Sequence, residues 1–325
     1  MQQVSVGLGL HRPEMIPMMS EAMRRHDAVF LEEPPAPGFD RMIRGKLSVD
    51  DYLLTIDVEY PRFNREMCRL LRELHAEGKK LHQVEPFIES LVHIHEFFAD
   101  GRRPDDLSRD SIHFHVYRAE RAATGALLAY YQTVAAGSFE NSIEAVIRFA
   151  RADAARFRLR DSLRAQALAS LIHEHPSSYV EAGLIHYHLW RLLRERLRAR
   201  ARVQPVFLAD AALQALGESG PIFGPGDQLT LLYIFHPAIS QPEAAARLRK
   251  GQAISGVPSR STQVFAREGF GSCVSLTMIR PRLAGGLEIC RSSAWTSCSR
   301  RSRRCVCAWQ SSQCRPATPS LWWTS

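Results

Sequence analysis

Apolar positions fall into two rhythms along this chain. Short apolar runs that alternate or end at glycine, proline or acid read as strands, and recurrence every three or four residues reads as a buried helix face. Val4, Val6 and Leu8 alternate with polar or small residues and lead into Gly9-Leu10-His11, a strand running into a tight turn. Pro13 and Glu14 open a helix to about Arg25, whose stripe of Met15, Met18, Met19, Ala22 and Met23 reads as core filler. Residues 27–31 form a second short strand that delivers Glu32 and Glu33 before Pro34 and Pro35 stop it. Two strands joined by a helix predict a parallel βαβ unit, in which functional groups gather at the carboxyl ends of the strands.

The pattern continues in the same manner. Ser48 is a plausible helix cap, and Arg62 to Glu77 is a clear amphipathic helix closed by Gly78. Residues 80–84 form a third strand ending at Glu85, and residues 87–175 are almost wholly helical, with breaks near Gly101–Asp110 and Gly137. A fourth strand, Tyr179–Gly183, leads through Leu184-Ile185-His186 into a helix over Leu189–Arg202. Val203–Leu208 and Leu229–Phe235 predict two further strands. The whole predicts an α/β domain over residues 1–252: a mainly parallel sheet, flanking helices and a long helical insertion at about 87–175.

Charge changes the picture only at the end of the chain. The formal net charge of +8 suggests nucleic acid until it is located. Residues 253–325 carry ten Arg against two Glu, which leaves residues 1–252 with 32 basic and 32 acidic side chains. A neutral body gives no argument for a DNA or RNA partner. Six of the seven Cys and four of the five Trp also lie in that tail, which has no Asp, Asn, His, Lys or Tyr. Cys305-Val306-Cys307 lacks metal-ligand spacing, and no His stands near it. The tail is therefore expected to be a poorly ordered basic segment, best read as a non-native reading frame from a frameshift or miscalled gene. A disordered basic tail and a functional basic arm are the alternatives. No apolar run reaches membrane-spanning length and the start lacks a secretory pattern, so the expectation is a cytoplasmic protein with no membrane partner.

Candidate chemistry sits at the strand ends. Two strand-to-helix turns place His after Gly: Gly9-Leu10-His11 and Gly183-Leu184-Ile185-His186. Two imidazoles and the Glu32 carboxylate on one sheet edge would make a metal site with open positions for water. Without metal, the same trio would act as general base and electrostatic clamp for hydrolysis. A His on such a lip is expected to be partly solvated. The HxH pairs His93/His95, His113/His115 and His173/His175, and His188, read as structural, because helical surroundings direct neighbouring side chains apart.

The order strand, glycine–histidine turn, helix, strand, Glu, long helical stretch, Arg-bearing helix, strand and GxxH resembles the TraB/PrgY/GumN family, related to the Tiki metalloproteases. More distantly it resembles the erythromycin esterase and ChaN group. The resemblance covers roughly residues 4–210. Gly183 to His186 matches the family's GxxH; at the first motif Gly9 stands two residues before His11 rather than three. The resemblance implies a divalent ion (zinc, manganese or cobalt) at His11, Glu32 and His186. It further implies Arg160 as the binder of substrate or oxyanion, with Glu33 or Glu181 as the spare base. The expected function is a metal-dependent peptidase or esterase acting on a small-molecule or peptide substrate. The alternative is a non-catalytic protein that keeps the pocket for haem or a peptide.

Overall fold

The computed structural model describes residues 1–136, 138–208, 210, 223 and 225–249, so the expectations for the 253–325 tail lie outside the described residues. Five strands, β1 (Gln2–Gly9), β2 (Ala28–Leu31), β3 (Lys80–Gln83), β4 (Ser177–Gly183) and β5 (Ala201–Phe207), form one sheet in the order β3-β2-β4-β1-β5. Every pairing is parallel, as α/β patterning predicts. Because parallel strands are covered on both faces, β2 reads as an unbroken apolar run, and all four of its residues are buried.

The first two crossovers cover one face. Helix α1 (Ile16–Arg24) joins β1 to β2, and α2 (Phe39–Ile43), α3 (Val49–Thr55) and α4 (Pro61–Ala76) lie between β2 and β3. Ser48 caps α3 by accepting a 3.0 Å hydrogen bond from the Asp51 amide. Gly78, at φ 88°, follows α4 in the left-handed conformation that favours glycine. Met19, Met23, Leu70, Leu71 and Leu74 pack here against Val29, Leu31 and Tyr179 of the sheet. Gly7 of β1 lies beneath the Tyr179 phenol, and a Cβ at that position would collide with it.

The later crossovers cover the opposite face. Between β3 and β4 run α5 (Pro86–Ala99), α6 (Ile112–Ala136) and the 33-residue α7 (Phe139–Leu171), the predicted insertion. Helix α8 (Tyr187–Leu197) joins β4 to β5. Ala165 and Leu168 of α7 and Leu189, Leu193 and Leu197 of α8 bury Val4, Val6, Leu8, Phe30 and Val180. Each such side chain contributes about 1.5–3 kcal/mol on full burial. The connections lead from β1 to β2 and β3 on one side, then return through β4 to β5 on the other. The carboxyl ends of β1, β2 and β4 therefore meet where the winding direction reverses, the place where such sheets form their crevices.

Leu229–Phe235 and the end of α8 differ from the sequence reading. Leu229–Phe235, expected as a strand, is the greater part of helix α9 (Pro225–Phe235), followed by α10 (Gln241–Arg249). A short all-apolar run has no period to distinguish the two forms. Packing against Ile143, Ile147 and Phe157 of α7 decides for helix. Helix α8 also ends at Leu197, short of the expected Arg202, because Ala201 and Arg202 pair with Gln2 and Gln3 of β1. Among the described residues no helix is long and apolar enough to cross a membrane.

Candidate functional site

The sheet's reversal point carries a buried network of charges. Glu32 follows the last residue of β2, and its carboxylate turns toward α7 and α8. Oε1 accepts from Arg160 Nη2 at 2.8 Å and contacts His186 Nε2 at 2.9 Å. Oε2 accepts from the Gly183 amide and lies 3.8 Å from Arg164 Nη1. Burial alone would raise this carboxyl, but His186 and Arg160 hold it well below the usual carboxylate range. Glu32 is thus ionised and fully engaged.

His186 precedes α8 and is only 2% exposed, where the sequence reading expected a partly solvated lip. The turn after β4 folds it inward beneath Phe157, whose ring meets the imidazole edge to face at 5.2 Å. Its Nδ1 contacts Asp161 Oδ1 of α7. Burial works against the charged ring, yet Glu32 and Asp161 together carry its pKa up to about 9. Asp161 is in turn held below its ordinary value despite burial, chiefly by His186. An Asp161–His186–Glu32 chain therefore runs from the helix to the strand end, with an imidazolium at its centre.

Two arginines one turn apart on α7 complete the network. Arg160 Nε donates to Glu85 Oε1 at 3.2 Å, and its pKa is raised by Glu85 and Glu32 against the effect of burial. Arg164, fully buried, donates from Nε to the Val84 carbonyl at 2.9 Å and lies 3.5 Å from Glu85 Oε2. Its Nη1 and Nη2 have no hydrogen-bond partner. Glu85, expected simply as a strand end, stands ahead of α5 and is fully buried.

The remaining candidates lie around this network. His11 follows β1 between the rings of Tyr60 and Phe63, at centroid distances of 5.5 and 5.2 Å. Burial lowers its pKa; Glu32 opposes the shift, and Arg160, His186 and Arg164 add to it. Glu181 of β4 accepts the Glu32 amide at 3.2 Å, and burial beside Glu33 and Glu32 pushes its carboxyl up to about 8. Glu33 accepts from Gln83 Nε2 at 3.0 Å and is raised by burial.

Sequence reasoning thus found Glu32, His186 and Arg160, which are in direct contact, and His11, Glu33 and Glu181 around them. It gave no role to Asp161 or Arg164. The available signal was the spacing Arg156, Arg160, Arg164, which aligns three guanidiniums on one side of a helix. The expected use of Arg160 changes as well, because its pairing is with Glu32 and Glu85.

The donor set does not fit a divalent ion at His11, Glu32 and His186. His186 Nε2 is engaged by Glu32 Oε1, the Glu32 oxygens are further engaged by Arg160 and the Gly183 amide, and two guanidiniums stand against them. Among the described residues no group of three or more His, Cys, Asp or Glu is arranged to hold a metal ion.

No protein-family model matches the chain, and no solved structure matches it. An uncharacterized protein of Archaeoglobus fulgidus is 26% identical over 224 residues, covering 69% of this chain and 73% of that relative. That likeness names neither a family nor an activity.

Proposed function

We propose that this protein is a hydrolase of ester or peptide bonds that works by general acid–base catalysis at His11 and Glu181, with no resident metal. One arrangement carries the reading: His11, just after β1, and Glu181 of β4 both border Glu32, and burial lowers the imidazole below 6.5 while it raises the carboxyl from 4.5 to about 8. Opposite displacements of this kind separate a base from an acid at neutral pH. His11 takes a proton from water as the oxygen attacks the carbonyl carbon, and Glu181 gives its proton to the departing alcohol or amine. Glu32, His186, Asp161, Arg160 and Glu85 form the fixed charge framework behind them. Arg164 has the N–H groups without an acceptor, so it, rather than Arg160, is the donor for the oxyanion. The resemblance to the TraB and erythromycin esterase groups supports a hydrolase in general terms.

The test is a pH–rate profile on activated aryl esters and short peptide amides. The rate should rise through the lowered His11 pKa, below 6.5, and fall near pH 8, and Glu181→Gln should remove the alkaline limb. A profile without that limb in the wild type would exclude Glu181 as the acid.

The same unpartnered nitrogens of Arg164 support a second reading, a non-catalytic protein that binds a small anionic ligand there. A saturable midpoint increase with small carboxylates or phosphates, without turnover of any ester or amide, would select it.

A further inference from the structure

A second histidine pair lies outside the charge network, on β3 and just ahead of β4. His82 of β3 and His175, just before β4, are 93 residues apart in sequence, yet their Nε2 atoms are 3.1 Å apart. We propose that His82 and His175 form a two-imidazole site for a first-row transition-metal ion such as zinc, nickel or copper, with water in the remaining positions.

The spacing is that of two ligand atoms on one ion. With metal–nitrogen bonds of about 2.0–2.1 Å, a 3.1 Å separation subtends roughly 95–102° at the metal. That lies between the cis angle of square-planar sites and the tetrahedral angle, and imidazole suits these ions. The rings are tilted by 48° with centroids 5.0 Å apart, and their Nε2 atoms face one another.

Packing holds the pair in place before any ion arrives. Phe30 of β2 stacks on His82 at 4.9 Å and meets His175 edge-on at 5.9 Å. Strand pairing sets His82 opposite Phe30, while the His175 carbonyl accepts from Gln2 Nε2 at 2.9 Å and its amide donates to Ile172. Both histidines are half-buried, which leaves room for water ligands. Burial also keeps the His82 imidazole in the neutral form that ligation needs, and His175 and Lys80 work in the same direction. Glu174 supplies a nearby negative charge that offsets Lys80. His82 lies on the edge strand β3 and His175 ends the long crossover that leaves it, so a shared ion would fasten β3 to the start of β4.

The experiment is a thermal melt of the untagged full chain with and without about 0.1 mM zinc or nickel. The ion should raise the wild-type midpoint by about 2–4 °C, because it binds the folded chain alone. His82→Phe, which keeps a ring over Phe30, and His175→Ala should each lose the increase, while His173→Ala, at an exposed neighbour, should keep it. Copper(II) added to the wild type should show nitrogen hyperfine structure from two imidazoles, absent in His175→Ala. Absence of any wild-type increase would overturn the proposal and leave the pair as an N–H···N hydrogen bond. An increase that survives in both His82→Phe and His175→Ala would overturn it too, placing the ion elsewhere.

Discussion

Helices α4 and α7 cover opposite faces of the same sheet and bury opposite kinds of residue. The interior face of α4 is Phe63, Met67, Cys68, Leu70, Leu71 and Leu74, and none of its charged residues is buried. Helix α7 buries Asp153, Arg160, Asp161 and Arg164 among its apolar residues. An apolar face needs only shape and area to be stable. A buried charge needs a partner at a fixed distance, or it costs several kcal/mol. The first helix therefore holds the fold together, and the second fixes the positions of charges around the ends of β1, β2 and β4.

The contrast breaks most severely at Arg160. Arg160→Met should leave Glu85 Oε1 buried without its partner and take one of the cations from Glu32, at a cost of about 3–5 kcal/mol in denaturant melts. Any hydrolysis should fall along with it, measured per folded molecule. Leu71→Ala in α4 should cost about 2–4 kcal/mol through the cavity it leaves, with the rate per folded molecule unchanged. A loss of rate there would mean that the packing around Leu71 reaches His11 through Phe63.

The smallest effect is on pH dependence, and its sign follows from His186 and Glu181. His186 keeps its proton in the folded chain up to about pH 9, against 6.5 when unfolded. Its stabilising contribution is complete below pH 6.5 and is lost as pH rises through about 9. Glu181 acts in the same direction, with a contribution present below 4.5 and lost as pH rises through about 8. The thermal midpoint should therefore fall between pH 6.5 and 9. Asp161→Asn, which removes one of the two carboxylates holding His186 charged, should make that fall shallower. A midpoint that rises over this range would show that neither proton is held by the folded chain.

The same contrast explains what the sequence made legible. Helix α4 was readable because its apolar residues recur at helical spacing, and β1 and β2 because alternation or an apolar run ends at a turn. Glu32 and His186 were legible as groups at strand ends, where a parallel sheet gathers them. Asp161 and Arg164 were not, since on an otherwise helical pattern a charged residue reads as solvated. Their burial depends on β4 and α8 closing over α7, contacts between parts of the chain with no local signature. For the same reason Leu229–Phe235 was mistaken for a strand: its form is set by the helix it packs on.

The most direct test of the central claim is the hydrolysis rate of an activated ester by wild type and His11→Ala, each measured after exhaustive chelation. The account predicts that chelation leaves the wild-type rate unchanged and that His11→Ala lowers it by about 10²–10⁴-fold while the chain stays folded. Loss of the wild-type rate on chelation, restored by zinc, or an undiminished rate in His11→Ala, would contradict it.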